Sequence, residues 1–225
     1  MGTIIMKEPV VELTNIHQRV ERGGFLFRGL NLKLESGCSA VIAGASGSGK
    51  TTLVEMMLGL RTPEQGQVLM FGQSLFPLRR RIVRQVRRQI GGVGGPFGLV
   101  PTLTVAENIT LPLVLNGEHK RAQQERLFRM LSEFSLLKLA AKYPRHLTRV
   151  ETMLVQFARA AIADQPLILV DEPSAGLDST SYQRVIESLV KVALSGSSML
   201  ILASQPPPGE IPHSRTYFLR NGVLE

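Results

Sequence analysis

Residues 44–51, GASGSGKT, constrain this chain more than any other stretch. They fit the pattern G-x-x-x-x-G-K-[ST] at every fixed position. The stretch also sits where that pattern works. SAVIAG (39–44) is a short buried-strand candidate leading in, and KTTLVEMMLGL (50–60) has helical composition leading out. Glycines let the backbone wrap closely, so that successive N–H groups form an anion-binding nest. The following helix turns its positive end toward the same anion. Lys50 is expected to reach the β- and γ-phosphates of a nucleotide, and the Thr51 hydroxyl to ligate Mg²⁺. Gly44, Ala45, Ser46, Gly47, Ser48, Gly49 and Thr52 complete the predicted phosphate loop.

ILVDEP (168–173) supplies the complement: a continuous apolar strand that ends in two carboxylates. Asp171 is placed to hold the metal, and Glu172 to orient or deprotonate an attacking water. Together the two stretches predict binding of a nucleoside triphosphate with Mg²⁺.

Strand and helix patterns alternate along the chain. VVELTNI and FLFRGLNLKL are strand-like around an Arg-Gly-Gly turn, and SMLILAS is a further buried strand. Helical periodicity marks residues 119–137, with Leu127, Leu131 and Phe134 on one stripe. It marks 146–160 through Val150, Met153, Leu154, Phe157, Ala158 and Ala161. TSYQRVIESLVKVAL is helical, with Val185, Leu189 and Val192 aligned. Asn221-Gly222 near the end is a hairpin signal. The alternation predicts an α/β fold with a largely parallel sheet. It forms one domain over 1–225, with sheet residues in 1–95 and 151–225 and a mostly helical insertion at about 96–150. GGVGGPFG (91–98) lacks the Lys-Ser/Thr end of a second phosphate loop and is expected to be a flexible hinge.

At 44% hydrophobic, 225 residues can bury a substantial core. No apolar run approaches the roughly 20 residues that span a bilayer, and the N-terminus carries no signal-peptide or myristoylation pattern. Cys38 is the only cysteine, which excludes an intrachain disulfide and a cysteine metal cluster. The expectation is a cytoplasmic chain. The formal charge of +8 is concentrated in RRRIVRQVRR (79–88), which has six arginines. That run is either a solvated basic helix face or an electrostatic patch for an anionic surface. No aromatic interleaves the arginines, which weakens a base-stacking role, and no nucleic-acid partner is expected.

GASGSGKTT, LILVDEP and the following SAGLD (174–178), in that order, resemble the ATP-binding subunits of ABC transporters. PTLTVAENITLPL (101–113) resembles the permease-docking segment of lipoprotein-releasing, cell-division and lipid-transport subunits. VLMFGQSL (68–75) and FLRNGVLE (218–225) resemble strands of the same family. The resemblance implies a P-loop NTPase with a RecA-like, mostly parallel sheet, an N-terminal antiparallel β layer and a helical arm. It further implies ATP and Mg²⁺ as cofactors, and a head-to-tail homodimer or heterodimer sandwiching two ATPs. A membrane permease would be engaged through about 95–113, with the chain peripheral on the cytoplasmic face.

Four positions depart from the family pattern. The Leu-Ser-Gly-Gly-Gln/Glu signature falls on Leu147-Thr148-Arg149-Val150-Glu151. Thr148 and Arg149 thus stand where a relative contacts the partner subunit's ATP. Arg149 and Val150 replace glycines, adding side chains where backbone would approach phosphate. Arg149 either blocks that approach or acts as a cross-dimer cation on the γ-phosphate. The Q-loop glutamine falls on Gly95 and the switch histidine on Gln205. The adenine-stacking aromatic falls near Val20, with Phe25 or Phe27 as substitutes. These losses imply reduced or partner-dependent hydrolysis; the alternatives are a non-hydrolysing structural or regulatory ATP-binding protein and, with less support, a soluble nucleic-acid-linked ABC ATPase.

Overall fold

A computed structural model describes residues 8–20 and 24–225. The N-terminal stretch read for targeting signals, and the Arg22-Gly23 part of the first turn, lie outside the described residues.

Two sheets organise the fold. Strands β1 (Pro9–Arg19) and β2 (Phe25–Glu35) pair antiparallel, and β4 (Gln65–Met70) and β5 (Gln73–Ser74) extend them into a sheet of order β2-β1-β4-β5. The second sheet uses β3 (Ser39–Ala43), β6 (Ile90–Gly94), β7 (Leu167–Asp171), β8 (Ser198–Ala203), β9 (Ser214–Arg220) and β10 (Val223–Leu224), in the order β10-β9-β3-β8-β7-β6. Every pairing from β9 to β6 is parallel. Only the terminal hairpin, turned at Asn221-Gly222 with both residues at positive φ, runs antiparallel. The Gly222 carbonyl accepts from the Arg28 N–H at 2.9 Å, joining the hairpin to β2.

Among the described residues six α-helices cover these sheets: α1 (Lys50–Met57), α2 (Arg80–Arg88), α3 (Val105–Leu115), α4 (Lys120–Glu133), α5 (Arg149–Ala161) and α6 (Ser179–Leu194). Parallel strands buried on both faces carry continuous apolar sequence. β3, β7 and β8 are fully buried and send alternate side chains to opposite faces. Leu167 and Leu169 join a core with Leu53, Met56, Phe27 and Val68, which packs α1, α2 and the antiparallel sheet onto one face. Ile168 and Val170 join a second core with Ile109, Leu131, Phe157 and Leu189, which packs α3 to α6 onto the other.

The Gly-rich stretch at 91–98 departs from the hinge expectation. Its first half is strand β6, paired with β7. Gly91 is there for close approach: a β-carbon would lie 2.5 Å from the Ala160 carbonyl and 2.6 Å from Ile168 Cδ1, so helix α5 sits directly on the strand. Its second half is tied down from α5. The buried Gln156 accepts from the Gly94 N–H at 2.9 Å and donates to the Phe97 carbonyl at 3.2 Å. Arg159 donates to the Phe97 carbonyl and, at 2.9 Å, to that of Gly98. Burial lowers the pKa of the Arg159 guanidinium.

Candidate nucleotide site

The phosphate loop leaves β3 at Gly44, whose N–H donates to the Ala203 carbonyl at the end of β8. Gly47 and Gly49 hold φ of 80° and 105°, a region that L side chains resist. Gly49 also rests on the antiparallel layer, since a β-carbon there would come 2.7 Å from the Phe27 ring. No side chain caps α1, so its first N–H groups face the loop free for an anion.

Lys50 is 4% exposed. Its ammonium donates to the Gly44 carbonyl at 2.7 Å and the Ala45 carbonyl at 3.0 Å, and pairs with Glu172 Oε1 at 3.1 Å. Thr51 donates its hydroxyl to Asp171 Oδ2 at 3.1 Å. The loop and the end of β7 thus meet as the sequence predicted. Asp171 is 2% exposed and its Oδ1 has no hydrogen-bond partner, a costly arrangement for a carboxylate. Burial, reinforced by the neighbouring Glu172 charge, raises its pKa against the lowering effects of Thr51 and Lys50. An orphaned carboxylate oxygen beside a threonine hydroxyl fits a hard divalent cation that takes its other ligands from phosphate and water.

A cleft of about 730 Å³ opens over the loop, lined by Ser46, Gly47, Lys50, Thr51 and Thr52 and, at its far wall, Arg19 and Val20. Val20 lines this wall as the sequence placed it. Phe27 does not serve as a stacking aromatic. It is fully buried beneath Gly49, because the β-layer uses it as the floor of the loop. Phe25 is half exposed, and the guanidinium groups of Arg19 and Arg28 lie 5.9 and 5.1 Å from the centre of its ring.

The turn before α5 is a helix cap. The Thr148 hydroxyl accepts from the Glu151 N–H at 3.3 Å, while Glu151 Oε2 accepts from the Thr148 N–H at 2.7 Å. That backbone bond is the main cause of the lowered Glu151 pKa. Thr148 and Arg149 are exposed. The Val150 side chain points inward and is 8% exposed. The helical stripe claims it for the core. Arg149 lies instead against Gly176 of the SAGLD loop.

At the Q-loop position, Gly95 has φ of 41° and its α-carbon faces the Asp171 carboxylate, leaving no room for a β-carbon. Gln205 is exposed. The residue before it, Ser204, contacts Glu172 directly, a partnership that sequence reasoning missed. Only the pairing of β7 with β8, which sets their ends side by side, brings the two residues together.

Residues 27–175 match the family model described as ABC transporter. The chain belongs to the ABC transporter family. This ABC subunit is 32% identical over 209 residues to the lipoprotein-releasing system ATP-binding protein LolD of Aquifex aeolicus, covering 92% of each chain. It is 33% identical over 181 residues to the methionine import ATP-binding protein MetN of Latilactobacillus sakei, covering 80% of this chain and 53% of that longer protein. Its fold matches the dimeric structure of the bacterial ABC transporter cassette MJ0796, with a TM-score of 0.81 at 26% identity over 96% of both chains. A second MJ0796 structure, bound to ADP and Pi, matches at a TM-score of 0.79 and 27% identity. The ABC ATP-binding subunit therefore has the P-loop NTPase fold and family chemistry that its sequence motifs implied.

Proposed function

We propose that this subunit binds MgATP between β3, α1 and β7 and couples it to a membrane permease, with hydrolysis that is weak unless a partner completes the site. One observation carries this reading. Lys50, Thr51 and Glu172 line one cleft with Asp171 bonded to Thr51 behind it, while the turn that would serve a partner's ATP presents Arg149. Thr51 and Asp171 would hold Mg²⁺, which supplies charge neutralisation at the phosphates. Lys50 would leave its loop carbonyls to contact phosphate, and Glu172 would orient water. Loss of single oriented catalytic groups commonly costs about 10²–10⁴ in rate, so the changes at 95, 149 and 205 support low turnover by the isolated chain.

A groove beside the 95–113 segment supports a membrane-protein partner. Its floor includes Phe97, Leu111 and Leu115, and its rim carries Arg84, Arg87, Arg88 and Arg159. Leu115 is 59% exposed. Among the described residues no helix is long and apolar enough to cross a membrane. In this reading residues 1–95 and 151–225 form the core and about 96–150 the helical arm of a head-to-tail dimer, with the chain peripheral to the membrane.

Co-purification from membranes, followed by ATPase assay of the recovered complex and of the isolated chain, tests the proposal. A permease in the complex and turnover that Glu172→Gln abolishes are expected. Turnover indistinguishable from Glu172→Gln in both preparations, with MgATP still bound, would leave a regulatory nucleotide-binding protein.

A further inference from the structure

We propose that Ser204 is the positioning residue that aims the Glu172 carboxylate. The proposal rests on the hydrolytic reading above and concerns how Glu172 is held.

The backbone delivers the two residues to one place. Asp171 pairs with Leu202 across β7 and β8, and the Glu172 N–H donates to the Leu202 carbonyl at 2.7 Å. Glu172 then takes a φ of 52°, which turns its side chain off the strand line. One residue past β8, Ser204 meets that side chain with two donors. Its N–H donates to Glu172 Oε2 at 3.1 Å, and its hydroxyl lies 2.9 Å from Oε1 and 3.0 Å from Oε2. The preceding residue, Ala203, accepts from the Gly44 N–H, so Ser204 is anchored to the start of the phosphate loop.

A glutamate has three side-chain torsions, and a base must present an oxygen to water in one direction. Two donors from one anchored residue restrict that freedom, and bonds to a charged acceptor are the stronger kind. Among the described residues Lys50 is the other group bonded to the carboxylate, and it also serves the loop carbonyls. The Glu172 side chain remains 27% exposed, which leaves an edge of the carboxylate open toward the cleft. Ser204, one position ahead of the exposed Gln205, therefore has the geometry to do the aiming.

The test uses the whole chain, and the permease complex where it is recovered. ATP turnover, KM for ATP and thermal midpoint are measured for wild type, Ser204→Ala, Ser204→Gly, Ser204→Thr, Glu172→Gln and Ser204→Ala with Glu172→Gln. Ser204→Ala and Ser204→Gly are expected to lower kcat about tenfold or more, the scale of one hydrogen bond to a charged group. KM and midpoint stay near wild type. Ser204→Thr recovers turnover, and Ser204→Ala adds no loss to Glu172→Gln. Wild-type kcat in both truncations, no recovery by threonine, or an equal loss in the Glu172→Gln background overturns the proposal. Wild-type turnover no higher than that of Glu172→Gln overturns it together with the hydrolytic reading, while retained MgATP binding keeps the nucleotide site.

Discussion

The guanidinium of Arg149 lies against Gly176, close enough that a β-carbon on the glycine would come 3.0 Å from Nη1 and 3.2 Å from Cζ. The start of α5 is thereby joined to the SAGLD loop within one chain. In the head-to-tail dimer proposed above, an arginine laid over its own loop would stand on the surface that a partner's nucleotide needs, which favours obstruction over a finger reaching outward.

Arg149→Gly alone is accordingly the informative change, and its expected effect is faster ATP turnover. A fall of about 10²-fold would instead mark the guanidinium as a cation acting on phosphate. Val150 does not belong in the same variant. It is a buried helix residue, and Val150→Gly should cost about 2–4 kcal/mol through a cavity and lost helix propensity, read from chemical denaturation.

Asp171 gives a pH signature. Its folded pKa lies above the ordinary value of 3.8, so the folded chain holds that proton more tightly than the unfolded chain. The resulting contribution to stability is fully present below the unfolded pKa and is lost as pH rises through the folded value. At neutral pH without nucleotide, Asp171→Asn should therefore raise the unfolding midpoint, and the gap should close as pH falls toward 3.8. MgATP should reverse the order at pH 7, since the metal makes use of the charge that asparagine lacks. Melting curves across pH, with and without MgATP, check both statements.

Restoring a glutamine at position 95 should harm the protein. Gly95→Gln places a side chain at positive φ against the Asp171 carboxylate, with an expected loss of about 1–3 kcal/mol and weaker MgATP binding. Improved turnover at wild-type stability would show that the 94–98 turn rearranges freely, despite its bonds to Gln156 and Arg159.

Arg84 and Arg88 rim the groove, and no ion pair engages them among the described residues. Arg84→Glu with Arg88→Glu should abolish recovery of the permease complex while MgATP affinity of the isolated chain is unchanged. Arg87 is left intact because its Nε donates to the Leu58 carbonyl at 2.8 Å and ties α2 to α1.

The phosphate loop, the metal strand and the strand-helix alternation were legible because each rests on a local pattern: glycine spacing, apolar runs, helical stripes. What sequence misassigned depended on what lies across a gap. Gly91 signalled flexibility by composition, yet it is glycine because α5 touches β6 there. Phe27 had the right type and approximate place to stack on a base, but the loop needed a floor. Val150 and Arg149 are adjacent in the chain and point opposite ways, a distinction the helical stripe already contained. Ser204 was invisible because its partner is 32 residues away and only strand register joins them.

The central sheet separates the packing of the two halves of the molecule. The loop that grips nucleotide shares its packing with α1 and the β-layer, whereas α5, whose first turn would answer a partner, is packed on the opposite face. Sequence drift around Thr148 and Arg149 can accumulate without disturbing the residues that support Lys50. In the proposed dimer, what this chain offers its partner's site can thus change while its own hold on the nucleotide stays intact.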